Sequence, residues 1–291
     1  MKFPIFRIIL ATLYAVSFGA VVVLFWSGRS FYFAPLAARA HHPGYWTWKP
    51  GGEAGLALGT VGSSMMVAML LYSVRKRIPA FRRWGPLSRW LDIHIFLGLA
   101  GPTLVVLHSS FKVQGLVALS FWSMIAVALS GILGRYLYLQ IPRTRAGEEL
   151  TLAELTKQDQ ALSERLTREF QLDVRLLRRL DALAAPAPGS RGLLGAFASA
   201  FGADLRLRFR LRGFARECRS VPPGLFGEFL NVVRGKAALR RRIVFWEALH
   251  RLFHYWHVVH KPFAVVMYVF MVVHVIVASM TGYGWAWVRA R

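Results

Sequence analysis

Five stretches of the chain, roughly 8–26, 55–74, 91–110, 116–139 and 262–280, are predominantly apolar and long enough to cross the hydrocarbon core of a bilayer. Inside lipid no water is available to main-chain N–H and C=O groups, so such segments must close their hydrogen bonds within a helix. The expected fold is therefore all-α, an integral membrane helical bundle of about five transmembrane helices. A composition that is 55% hydrophobic sets aside a soluble domain. The first stretch follows Lys2 and Arg7 as a signal peptide would, yet its apolar run is too long and no small-x-small site closes it. It reads as a retained anchor.

Charge orients the spans. Arg75, Lys76, Arg77, Arg82, Arg83 and Arg89 crowd one short connection that carries no acid, which places that loop on the cytoplasmic side of the cell membrane. With five spans the N-terminus is then inside and the C-terminus outside. The formal charge of +23 is read as topology and attraction to anionic membrane lipid rather than as nucleic-acid binding. After span 4, a polar section of about 120 residues holds 12 of the 14 acids and 21 of the 37 bases, so it is read as a basic, largely helical cytoplasmic insert. The expected organisation is 1–139 for spans 1–4, 140–257 for the insert, and 258–291 for span 5 with a short outer tail.

Within the insert, Thr151 and Glu154 read as a capping box opening an amphipathic helix to about Leu183, broken by the Pro-rich 185–190. Arginines alternate with apolar residues from Arg206 to Arg212, a period-two pattern that fits a short strand or a membrane-facing extended segment. A second helix is expected from about Gly235 to His257.

Two pairs of histidines share one interval: His94 and His108 lie fourteen residues apart, and so do His260 and His274. On a helix fourteen residues make almost four turns, so the members of a pair face one way, roughly 21 Å apart along the axis. Spans 3 and 5 run in the same direction, which pairs His94 with His260 near the inner face and His108 with His274 near the outer face. Imidazole is a common axial ligand of haem iron, and ionisable groups at membrane depth usually mark an interior site. The arrangement suits two b-type haems stacked across the membrane. One histidine alone would as readily be a packing or hydrogen-bonding residue. Pro262 disfavours helical geometry at Lys261 and predicts a kink or a helix start there, which makes His257 the runner-up to His260.

Around these positions, Gly98 and Gly101 in span 3 and Gly131 and Gly134 in span 4 are places where a macrocycle could approach the backbone, ordinary small-residue packing being the other reading. Arg135 is a candidate partner for a haem propionate, and Lys112 for one on the other side. His250, His254 and His257 form one stripe of an amphipathic helix, while His41 and His42 lie in an outer loop with Trp46 and Trp48. The single cysteine, Cys218, excludes a disulfide, a covalent c-type haem site and a four-cysteine cluster made within this sequence.

Histidines about fourteen apart on the third and fifth spans resemble the bis-histidine di-haem core of the ferric reductase and NADPH oxidase superfamily, and more broadly membrane-bound b-type cytochromes. The resemblance covers roughly 90–140 and 257–283. It implies that His94, His108, His260 and His274 are the iron ligands of two stacked b haems fed from a cytoplasmic flavin domain. The chain departs from that pattern in having five clear spans, a long insert before the last one, and no Gly-rich dinucleotide fingerprint or flavin module.

The leading expectation is a di-haem cytochrome carrying electrons across the cytoplasmic membrane as a subunit or partner of a larger oxidoreductase. An acidic electron carrier, flavoprotein or iron–sulfur subunit would dock on the basic cytoplasmic side, and an acceptor could meet the outer face. A quinone is a further candidate cofactor. The alternatives are a ferric or quinone reductase acting at the outer haem, and a haem-free membrane scaffold or metal transporter whose histidines bind ions or relay protons.

Overall fold

The computed structural model describes residues 4–141, 150–183, 209–211, 213–214, 218 and 222–281. Among these residues every regular element is helical, and five helices are long and apolar enough to cross a membrane. The protein is a multi-pass, all-α membrane protein. The chain divides into two compact units, one made of 1–133 with 258–291 and the other of 134–257.

In the first unit, helix α1 (Pro4–Ser27) is apolar beyond Arg7 and leaves Ile5, Ile8, Leu13, Val16 and Val23 exposed, as suits a lipid-facing surface. It touches the bundle through Tyr14, whose ring meets Phe96 edge-on at 5.0 Å. Span 2 is built from α2 (Glu53–Ala68) and α3 (Leu71–Arg77). Between them the chain tightens: Leu70 N–H bonds Val67 O and Tyr72 N–H bonds Met69 O, three-residue steps that interrupt the helical ladder.

Helix α4 (Leu87–His108) packs closely on α2 through small residues. A Cβ on Gly62 would lie 2.9 Å from Gly101 O, and one on Gly101 would lie 3.0 Å from Gly62 O. Helix α5 (Val117–Gln140) begins in this unit and bonds span 5 through Ser120 Oγ, which donates to Met267 O at 3.0 Å. Five methionines, Met66, Met69, Met124, Met267 and Met271, form a buried layer among these helices. Unbranched thioether side chains fill such irregular gaps with little strain.

In the second unit, the capping box is present as expected: Glu154 N–H bonds Thr151 Oγ1 at 3.2 Å and Thr151 N–H bonds Glu154 Oε2 at 2.7 Å. The single helix expected from there to Leu183 is instead two, α6 (Leu152–Arg168) and α7 (Val174–Leu183). The break has local causes. Gln171 takes a left-handed φ of +49°, Leu172 N–H reaches back to Leu166 O, and Asp173 Oδ1 accepts from Arg175 N–H as a new N-cap. The helix expected from Gly235 begins earlier, as α8 (Phe226–Val244), because Phe226, Phe229, Leu230 and Val233 already supply an apolar face.

Of the alternating stretch 206–212, residues 209–211 are helical rather than extended, with Leu211 buried and Phe209 exposed; the rest of it, like the Pro-rich 185–190, lies outside the described residues. Leu166, Leu180, Phe214, Cys218, Phe229 and Val233 close the core of this unit.

The final helix, α9 (Trp246–Met280), continues through Pro262, so it does not start at Lys261. Proline removes the N–H that would bond Val258 O and crowds that carbonyl with its ring, costs that apolar helices tolerate when neighbours hold the flanking turns.

Candidate functional site

Continuity of α9 gives the fourteen-residue interval its geometric meaning. The inward stripe of that helix runs His260, Met267, Met271 and His274, while Val265, Val269, Val272 and Ile276 face outward. On α4 the corresponding stripe carries His94, Leu97, Val105 and His108.

The structure brings His108 and His274 together, with ring centroids 6.3 Å apart and planes inclined at 63°. Metal–imidazole bonds are about 2 Å long, so two imidazoles bound on opposite sides of one ion hold their ring centres roughly 6 Å apart. The observed spacing fits two axial ligands of one iron. His108 is further fixed from behind, where Nδ1 lies 2.8 Å from Gly55 O. A carbonyl only accepts, so the proton resides on Nδ1 and the lone pair on Nε2, the tautomer a metal-binding histidine needs.

Glycine at position 59 makes that seat possible. A Cβ there would fall 2.6 Å from His108 Nδ1 and 2.7 Å from Cε1, inside the ring's own contact surface. Neither Gly55 nor Gly59 was a candidate on sequence grounds, although the spacing Gly55, Gly59, Gly62 marks one helix face.

His94 and His260 have separate anchors. His94 Nδ1 is 3.1 Å from Met69 O, at the break in span 2, and its ring centroid is 5.1 Å from that of Tyr72. His260 Nδ1 is 2.7 Å from Ser130 Oγ. Ser130 Oγ also lies 2.9 Å from Val127 O, which takes its hydroxyl proton, so the serine accepts from His260. No ring contact joins His94 to His260 among the described residues, unlike the 108/274 pair.

The runner-up behaves differently. His257 Nδ1 bonds Phe253 O at 2.9 Å, and its ring lies against Phe253 and Trp256. His250 likewise bonds Trp246 O, four residues back on its own helix. His94 and His108 instead reach carbonyls of span 2. His42 Nδ1 accepts from Gly44 N–H at 3.0 Å, and His41 is exposed.

The four expected glycines divide. Gly131 has open space where a side chain would be, and Gly98 has Met69 Sδ at ordinary contact distance of 3.5 Å. Gly101 instead serves the helix contact with Gly62, and Gly134 is covered by the Trp256 indole, 2.2 Å from where a Cβ would sit. Arg135 lies with its Cζ 5.9 Å from the centre of the Tyr138 ring, and Lys112 is exposed.

The turn after His108 is held by a residue that sequence reasoning passed over. Arg39 donates from Nε to Ala34 O, from Nη2 to Tyr32 O at 2.6 Å and from Nη1 to Ser110 O. Ser110 and Phe111 both adopt left-handed φ values, +49° and +59°, which non-glycine residues keep only when their surroundings impose them. Ser110 Oγ donates in turn to Trp48 O at 2.8 Å. Arg39 and Trp48 thereby clamp the end of α4 beside the histidine.

No family model, no curated protein and no solved structure matches the chain.

Proposed function

We propose that the protein is a di-haem b-type cytochrome that carries electrons across a membrane, as a subunit or partner of a larger oxidoreductase. The observation that carries this reading is the 6.3 Å approach of His108 to His274, with His108 held in the tautomer that presents Nε2. His108 and His274 would hold one haem, His94 and His260 the other. A haem held by two histidines supplies one-electron transfer between ferric and ferrous iron.

The chain's contribution is placement. Two helices offer ligands at two depths, span 2 and Ser130 set the ring orientations, and the methionine layer keeps water from the space between the two histidine levels. By the positive-inside rule the Arg75–Arg89 loop faces the cytoplasm, which puts the 94/260 level nearer the electron donor. The basic insert would receive an acidic carrier protein, whose reduction of the haems should slow as salt rises. The ion-transporter alternative finds less support. A tetrahedral protein site uses three or four ligands. Among the described residues no three histidine, cysteine, aspartate or glutamate side chains gather in one place.

A dithionite-reduced minus oxidised spectrum of the purified protein, with haem quantified per chain, tests the reading in wild type, His94→Ala and His108→Ala. Two b-type haems, one lost in each variant, is the expected result. A folded, membrane-reconstituted protein that holds no haem would sink it.

A further inference from the structure

Span 2 carries no histidine, yet it contacts both ligands of span 3. Its two acceptors, Gly55 O for His108 and Met69 O for His94, are themselves fourteen residues apart and run antiparallel to the histidine pair. Each is exposed to the ligand by a local device. At one end Gly59 removes the side chain that would otherwise occupy the His108 ring position. At the other, the tightened turn at Met69–Leu70 bonds Met69 O to Tyr72 rather than to the helical partner four residues on, and turns that carbonyl toward His94.

We propose that span 2 is the positioning helix of both centres, fixing ring tautomer and plane at His94 and His108 through two main-chain carbonyls and thereby setting the two redox potentials. This rests on the di-haem reading for its redox consequence but not for its structural one. An Nδ1–H donating to a carbonyl makes the imidazole a stronger electron donor, favours ferric iron and lowers the potential; losing the bond raises it.

Gly59 is the position at which the proposal can be tested, and Gly62 is the control. Both belong to the α2 face against α4, but a side chain at Gly62 would meet Val105, Gly101 and Leu104, not a histidine. The full-length protein is labelled with ¹⁵N-histidine, reconstituted and kept reduced, so that low-spin ferrous haem leaves the NMR spectrum diamagnetic. In wild type, His94 and His108 should both carry their proton on Nδ1. In Gly59→Ala the His108 signal should move and the midpoint potential of one centre should rise by about a tenfold change in its equilibrium, about 59 mV for one electron.

The other centre should stay in place, and Gly62→Ala should shift neither potential selectively. Equal effects of the two variants on both centres would reduce span 2 to a packing partner and overturn the proposal. So would Nε2–H tautomers at His94 and His108 in wild type, a measurement that requires no variant to fold. Wild-type protein without haem but with both Nδ1–H tautomers would instead leave the seating intact and remove the electron-transfer function.

Discussion

Ser130 and His260 meet across two spans, Oγ to Nδ1 at 2.7 Å, one residue before the glycine that leaves open space beside span 4. The serine holds His260 from a side chain as Gly55 and Met69 hold the span 3 histidines from the main chain. Ser130→Ala removes that acceptor with little change in volume. On the di-haem reading the 94/260 centre should then rise in potential by about a tenfold change in its equilibrium, while the 108/274 centre keeps its value. A redox titration resolving two components checks this; a uniform shift of both would assign Ser130 to helix packing alone.

The 63° inclination between the His108 and His274 planes has a spectroscopic consequence. Crossed axial imidazoles bring the two iron dπ orbitals that face them close in energy, which spreads the g-values of low-spin ferric haem. On the di-haem reading the oxidised protein should therefore show a strongly anisotropic low-spin signal at low temperature, and His274→Ala should abolish it while a second haem signal persists. A spectrum containing only the less anisotropic signals of parallel imidazoles would contradict this geometry.

The spans and the same-face pairing of the histidines were legible because both depend on local periodicity, and period survives any arrangement of neighbours. What escaped depends on a partner element. Gly55 and Gly59 acquire meaning only once α4 lies against α2, and Met69 only because the chain tightens there. Arg39 carries no local sequence signal, yet it bonds three carbonyls from two segments. The helix start offered at Lys261 is not taken, since the rule for the residue before proline is a preference that a long apolar helix overrides. The break at Gln171 was missed because Leu166, Phe170 and Leu177 keep helical spacing across it.

Lys236 is fully buried in the second unit, with Nζ 3.0 Å from both Asp159 Oδ1 and Asp181 Oδ1, and Arg240 lies 3.7 Å from Asp159. One cation thus ties α6, α7 and α8. Lys236→Met leaves the carboxylates without their buried countercharge and should destabilise this unit by about 3–5 kcal/mol. Replacing Asp159 by Leu in the same chain should recover part of that loss, because it removes a charge that the first substitution stranded. Limited proteolysis across 150–244, read as a cleavage rate against temperature, measures both. Equal rates in wild type and Lys236→Met would mean the cluster adds nothing to stability.

The capping box at the start of α6 should make that helix end acid-labile. Hydrogen bonds from the Thr151 backbone N–H and then its hydroxyl hold the Glu154 carboxyl below its ordinary value. A carboxyl with a lowered native pKa favours the folded form above its unfolded pKa, and that contribution is lost as pH falls through the native one. Glu154 is exposed, so the loss should stay local to the first turn. Amide exchange at Leu155 and its neighbours should quicken, after correction for intrinsic rates, as pH is lowered from neutrality through the carboxylate range. Glu154→Gln should quicken exchange at neutral pH and flatten the profile, because a neutral amide still caps Thr151 but does not titrate. A wild-type profile as flat as that of the variant would show that the carboxylate contributes no pH-dependent stability to α6.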